Sequence, residues 1–174
     1  MPELNNQNFN HLKIHTQYSI CEGAIKIDNL KDFCKEKKIP CLGISDTSNL
    51  CGALEFAENI SKVGTQPIIG TQIYFRFEDT TGLLPLIALN ENGYKRIIEL
   101  SSRSYLENDA LSDPHLDIKE LLIDVEGVSL LSGTIQGLFG KLFEKGRLDE
   151  ISKLYKSLSS KFNDNFYLEI QRHG

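Results

Sequence analysis

The amino-acid sequence predicts an α/β fold with a largely parallel sheet. Three observations point there. Short apolar runs alternate with stretches of helical periodicity, Pro and Gly fall between them, and 174 residues suffice for one domain but not comfortably for two. The composition, 40% hydrophobic and 25% charged, is that of an ordinary globular chain.

Taken in order, Leu12 to His15 is the first candidate strand. Ile27, Leu30, Phe33 and Cys34 share one face of a helix that runs out at Lys37–Lys38, and Pro40 stops it. Cys41 to Ile44 is a buried strand candidate. Ala53 to Val63 is helical, with Leu54, Phe56, Ala57 and Ile60 as its apolar positions, and Gly64 ends it. Pro67 to Phe75 and Leu83 to Leu89 are strands separated by a turn at Thr80–Thr81–Gly82. Glu91 to Leu106 is the clearest helix. Asp117 with Glu120 three residues on suggests a capping box opening a short helix. Val128 to Leu131 is a strand closed by Ser132–Gly133. Gln136 to Phe162 holds two helices split near Gly146, and Phe166 to Ile170 begins a last strand. Tyr94, Tyr105, Phe139 and Phe143 are expected to pack in the core.

Charge and cysteines exclude some functions. The net charge is −5, from 24 acidic and 19 basic residues. No dense Lys/Arg cluster marks a surface built to grip nucleic-acid phosphates. Cys21, Cys34, Cys41 and Cys51 lie 13, 7 and 10 residues apart, so no CxxC pair nucleates a zinc knuckle. Met1 to Asn10 is polar and Asn-rich, unlike a secretory signal. No apolar run approaches the ~20 residues that span a bilayer. Cytoplasmic location and reduced thiols are therefore expected.

Three stretches could carry chemistry. Within His11–Leu12–Lys13–Ile14–His15, a strand would put His11, Lys13 and His15 on one side. Two imidazoles at a strand's end suit a metal, but such a pair alone is more often two histidines on a plain polar face. Asp46, closing the buried run Gly43–Ile44–Ser45, is either a ligand or the N-cap of the helix that follows. In Pro67 to Phe75, Gly70 marks a bend and Gln72 points inward or to a partner.

In their order and spacing, HLKIHTQYS, GISDTSNLCGALEF and QPIIGTQIYF closely resemble the PHP domain at the N-terminus of the DNA polymerase III alpha subunit. LIALNENGYKRIIELSSRSYLE, LLSGTIQGLFGKLFEKG and FYLEIQRHG resemble later segments of the same family. The resemblance covers nearly all of residues 9–174. It implies the N-terminal portion of a distorted (β/α)7 barrel with mostly parallel strands, left unclosed. Residues 1–8 would be a disordered or extended tail, and 9–174 a partial PHP domain lacking the C-terminal part of the barrel.

The resemblance also implies a metal site and shows where this sequence departs from it. Active PHP domains hold up to three metal ions and hydrolyse phosphate esters. Where the metal-binding branch reads His-x-His-x-His, the middle residue here is Lys13. Its Asp-His-Gly-Asn is Asp46–Thr47–Ser48–Asn49, its glutamate after the Gly bend is Gln72, and its cysteine after Ser-Gly is Thr134. Less securely, Leu83 replaces a histidine. The last expected pair, Asp-x-His, would lie beyond Gly174. His11, Lys13, His15, Asp46, Thr47, Gln72 and Thr134 are thus a vestigial site, with His15, Asp46 and His11 the remaining weak metal candidates and His173 a residue that could face it. No catalytic residue and no cofactor are expected in this chain.

The implied function is that of a scaffold within the catalytic alpha subunit of a replicative polymerase. It would dock the proofreading exonuclease subunit and support the polymerase domain. That domain would carry Mg²⁺, bind DNA and meet the other replicase subunits. The alternative is a stand-alone metal-dependent PHP phosphoesterase.

Overall fold

A computed structural model describes residues 9–109 and 111–171. After an extended stretch over residues 11–16, α1 (Ile27–Lys37) leads into β1 (Cys41–Thr47), α2 (Ala53–Ser61), β2 (Gln66–Phe77) and β3 (Thr80–Ala88). Then come α3 (Glu91–Leu106), β4 (Leu116–Asp117), α4 (Ile118–Ile123), β5 (Val128–Leu131), α5 (Leu138–Glu144), α6 (Leu148–Phe162) and β6 (Phe166–Tyr167).

The sheet runs β1-β2-β3-β5-β6, with β4 beside the far end of β2. β1–β2, β2–β4 and β5–β6 are parallel, while β3 is antiparallel to both its neighbours. The result is the predicted α/β class with a mostly parallel, unclosed sheet into which one reversed strand is set.

Alternation along each strand separates the two faces. Leu42 and Ile44 of β1 point to α1 and α2, where they join Ile27, Leu30, Cys34, Phe56 and Ile60 in one cluster. Ile73 and Phe75 of β2, Leu84 and Leu86 of β3, and Val128 and Leu130 of β5 point the same way, into a second cluster with Ile97, Leu100, Leu138, Leu142, Leu154 and Leu158. Helices therefore cover one side of the sheet. Gln72, Leu83, Pro85, Ile87, Ser129 and Leu131 fall on the opposite face, the interior of the incomplete barrel.

Several expectations need correction. Leu12–His15 is not a strand; it touches β1 through a single bridge, Ile14 to Ile44, beside two hydrogen bonds. The hairpin turn lies at Glu78–Asp79, not Thr80–Thr81–Gly82, and Glu78 takes the left-handed φ of 53°. Gly82 is there for another reason: a Cβ on it would lie 2.4 Å from Leu138 Cα, so its absence lets α5 sit down on the hairpin. Phe33, Leu54, Tyr105 and Phe143 are exposed, while Tyr94 and Phe139 are half-buried. Asp117 caps α4 by accepting from Lys119 N at 3.0 Å, but Glu120 turns away to Arg103 at 2.7 Å, so the box is only half made. The final strand is shorter than expected, and His173 lies outside the described residues. Among the described residues no helix is long and apolar enough to cross a membrane.

Candidate functional site

The interior face ends in a polar cavity of about 240 Å³ where β1 and β5 finish, beside the middle of β2 and the start of reversed β3. Lys13 and His15 enter from the extended segment, Gln72 from β2, Leu83 from β3, and Gly133, Thr134, Gln136 and Gly137 from the loop after β5. Gln171 closes the rim. The C-terminal ends of parallel strands are where α/β barrels place their chemistry, and the site sits there.

Several polar groups around this cavity have definite partners, and one buried atom has none. Lys13 Nζ donates to both oxygens of Glu169, at 3.1 and 3.3 Å. Gln72 Nε2 donates to Thr47 Oγ1 at 2.7 Å, and Thr47 Oγ1 donates in turn to Glu22. Thr134 builds the loop: its hydroxyl accepts from Gln136 N at 3.4 Å and its carbonyl from Gly137 N at 2.9 Å. The buried atom without a partner is Nδ1 of His15.

Asp46 is neither cap nor open ligand. It is 1% exposed and accepts from Thr16 N at 2.6 Å, Thr16 Oγ1 at 2.7 Å and Ser19 Oγ at 2.7 Å. Its carboxylate is spent on pinning the turn after His15. The helix it was expected to cap starts at Ala53, with Gly52 at the cap position and no side-chain bond. Nearby, Tyr18 donates to Glu55 at 2.6 Å, and this bond raises the phenol above its usual 10.0.

Lys13, His15, Gln72 and Thr134 thus meet in one cavity, with Thr47 joined to it through Gln72 and Asp46 one residue behind. His11 does not join them. It is exposed, its ring packed edge-on against Phe9 at 4.8 Å. The spacing of the two bonds to β1 accounts for this: Gly43 N and Ser45 N, two residues apart, donate to His11 O and Ile14 O, three residues apart, so one extra residue interrupts the alternation between His11 and His15. Among the described residues, no three His, Cys, Asp or Glu side chains are gathered as a metal ion would require. Glu22, Glu169, Gln136 and Gln171 were not expected at the site. Glu169 lies 156 residues from its partner, a distance no local pattern can bridge.

The PHP domain family model matches residues 11–173. The chain belongs to the PHP domain family. Similar chains include the DNA polymerase III subunit alpha of Caulobacter vibrioides, 37% identical over all of this chain and 16% of the relative. That of Thermus aquaticus is 34% identical over 95% of this chain and 15% of its own, and that of Vibrio cholerae 32% identical over 95% and 15%. This PHP chain therefore spans about one sixth of the curated relatives it matches. Among solved structures, an amidohydrolase from Chromobacterium violaceum overlaps 56% of the chain and 33% of its own at 14% identity and a TM-score of 0.46, a likeness too slight to bear on chemistry.

Proposed function

We propose that this PHP chain is the N-terminal region of a DNA polymerase III alpha subunit, and that its site is a scaffold rather than a metal centre. In this reading it docks the proofreading exonuclease subunit and supports the polymerase domain of the longer protein. DNA, Mg²⁺ and the other replicase subunits are engaged by that longer protein, in the cytoplasm. The observation that carries the assignment is identity of 32–37% along essentially the whole chain to subunits of that name.

The donor set supports the metal-poor part. A divalent cluster needs several anionic or imidazole ligands free to turn inward. Here an ammonium, a neutral amide and two hydroxyls occupy four of the positions, at Lys13, Gln72, Thr47 and Thr134. Asp46 is 1% exposed and already accepts three hydrogen bonds, so little of its carboxylate is left to turn to a metal. His15 remains as a single unpartnered donor atom. Lys in place of a ligand adds charge of the wrong sign and Gln in place of Glu removes charge of the right one.

The test is made on the full-length gene product. It is loaded with Zn²⁺ or Mn²⁺, desalted and analysed for bound metal, then assayed for hydrolysis of a simple phosphate monoester. Fewer than one tightly held ion assignable to residues 1–174 and no hydrolysis are expected. Two or more ions there, with hydrolysis, would make the chain a working phosphoesterase. Docking is tested by co-purification with the exonuclease subunit. Retention of that subunit after residues 1–174 are deleted would sink this part of the proposal.

A further inference from the structure

The two partners of the Lys13–Glu169 pair stand at opposite ends of the sheet. At one end the extended segment is held on β1 by Gly43 N donating to His11 O at 2.7 Å and Ser45 N donating to Ile14 O at 2.8 Å. At the other end Glu169 follows β6, its amide donating to Ser132 Oγ at 2.9 Å, while Ser132 N donates to Tyr167 O at 2.9 Å. Among the described residues no strand pairing joins these ends. What spans the gap is one ammonium against one carboxylate, with side chains only 19% and 16% exposed.

We propose that the Lys13–Glu169 pair is a built-in brace: a fixed cation that ties the β1 end and the β6 end of the described sheet to one another across the mouth of the site. This rests on the reading of the cavity as metal-poor and deepens it. A metal ion bound at such a place gathers ligands from several strands and so cross-links them. Lys13 supplies the cation from the chain itself, permanently and without exchange. The geometry suits the task. Both bonds go to one carboxylate, and charge-assisted bonds are the strong ones. Low exposure reduces screening by salt. The same burial makes loss of one partner costly, because the other charge is left in a poorly solvated place. Lys13 also lines the cavity, so the brace and the shape of the site depend on one another.

The test is a double-mutant cycle in the full-length gene product, read by hydrogen exchange at the Gly43 and Ser45 amides, the two donors that hold the segment on β1. Lys13→Met and Glu169→Gln alone are each expected to speed exchange at these amides ~10-fold or more. The double variant should be no faster than the faster single, and the charge swap Lys13→Glu with Glu169→Lys should recover at least half of the logarithmic loss. Lys13→Arg, which keeps the charge and the fold, should stay within ~3-fold of wild type. Single effects that multiply in the double variant would overturn the brace, as would a swap that recovers nothing. If a single variant fails to fold, the swap decides alone. Chelation separates this proposal from the broader one. A cycle that is non-additive while a chelator speeds exchange in wild type would retain the brace and refute the metal-poor site. An additive cycle with no chelator effect would do the reverse.

Discussion

Asp46 places three donors of the turn after His15 around one carboxylate in a dry setting. Asp46→Ala strands the Thr16 amide and both hydroxyls, and the expected loss is ~3 kcal/mol, read as a lowered urea midpoint. Ser19→Ala, which removes one of these donors and the acceptor of Thr47 N, should cost less, ~1–2 kcal/mol. Had Asp46 been a helix cap, Asp46→Ser would be nearly neutral; it is expected to lose most of what alanine loses. The sequence left Asp46 open between ligand and cap because its true partners lie 30 and 27 residues upstream. Nothing in the local pattern marks Thr16 and Ser19 as its donors. Asp79 behaves differently, being exposed at the hairpin turn. Its hydrogen bonds with Arg147 hold its pKa down from 3.8 to about 2. A carboxylate with a depressed folded-state pKa stabilises the fold at pH above its ordinary value, and that contribution fades as pH falls towards the folded value. The stability gap between wild type and Asp79→Asn should therefore be flat above pH 3.8, shrink below it and close near pH 2. A gap that widened on acidification would contradict the pairing. Exposure keeps the effect small.

At the scale of elements, α3 and β5 have the boundaries the sequence suggested, since both are marked by local signals. Asn90 caps α3 by accepting from Gly93 N at 3.0 Å, and Gly127 ends the turn before β5 with φ of 69°. These two features are one joint. A Cβ on Gly93 would lie 1.7 Å from Gly127 O, so only glycine lets the first turn of α3 rest on the β5 turn. Asn90→Ala should cost ~1 kcal/mol as a lost cap, and Gly93→Ala ~2 kcal/mol or more by pushing helix and turn apart. If thermal unfolding showed Gly93→Ala to be harmless, the joint would be looser than described. The misplaced turn has a matching explanation. Thr-Thr-Gly reads as punctuation, yet Thr80 is buried and receives Lys145 at 2.8 Å, while Gly82 serves α5. The demand for glycine came from a helix 56 residues away in the chain, which no window of local sequence contains. Leu12–His15 failed as a strand for a similar reason. Its apolar alternation was legible, but the number of ladder bonds it can make depends on the edge it meets.

Across the whole molecule, the helix-covered side of the sheet divides into two apolar clusters of unequal size. The smaller joins α1 and α2 to β1, and α1 contributes only Ile27, Leu30 and Cys34 to it. The larger is built on β2, β3 and β5 with α3, α5 and α6. Local opening follows the number of buried apolar contacts. Amides of α1 should therefore exchange in the earliest opening unit, and those of the β2–β3 ladder near the global limit. Protection of α1 equal to that of β2 would show the two clusters to be one cooperative unit. The class of fold and its alternation of elements were legible in the sequence, because periodicity encodes them; of the named site residues Lys13, His15, Gln72 and Thr134 line the cavity, while His11 stands apart. The reversed β3 and the pairing of Lys13 with Glu169 were not legible, because both depend on which distant edges meet.

The reversed strand has a consequence of its own. β2 runs five residues past Gln72, to Phe77, before the chain folds back along β3, so the hairpin stands as a parapet above the cavity mouth. A hairpin grows by adding one residue to each arm, and two added residues per arm restore every side chain to its original face. Its height is nonetheless not free, because Thr80 and Asp79 at its tip hold Lys145 and Arg147 of the α5–α6 connection. A taller or shorter wall would have to re-anchor that connection, so the height of the rim and the seating of α5 and α6 are set together.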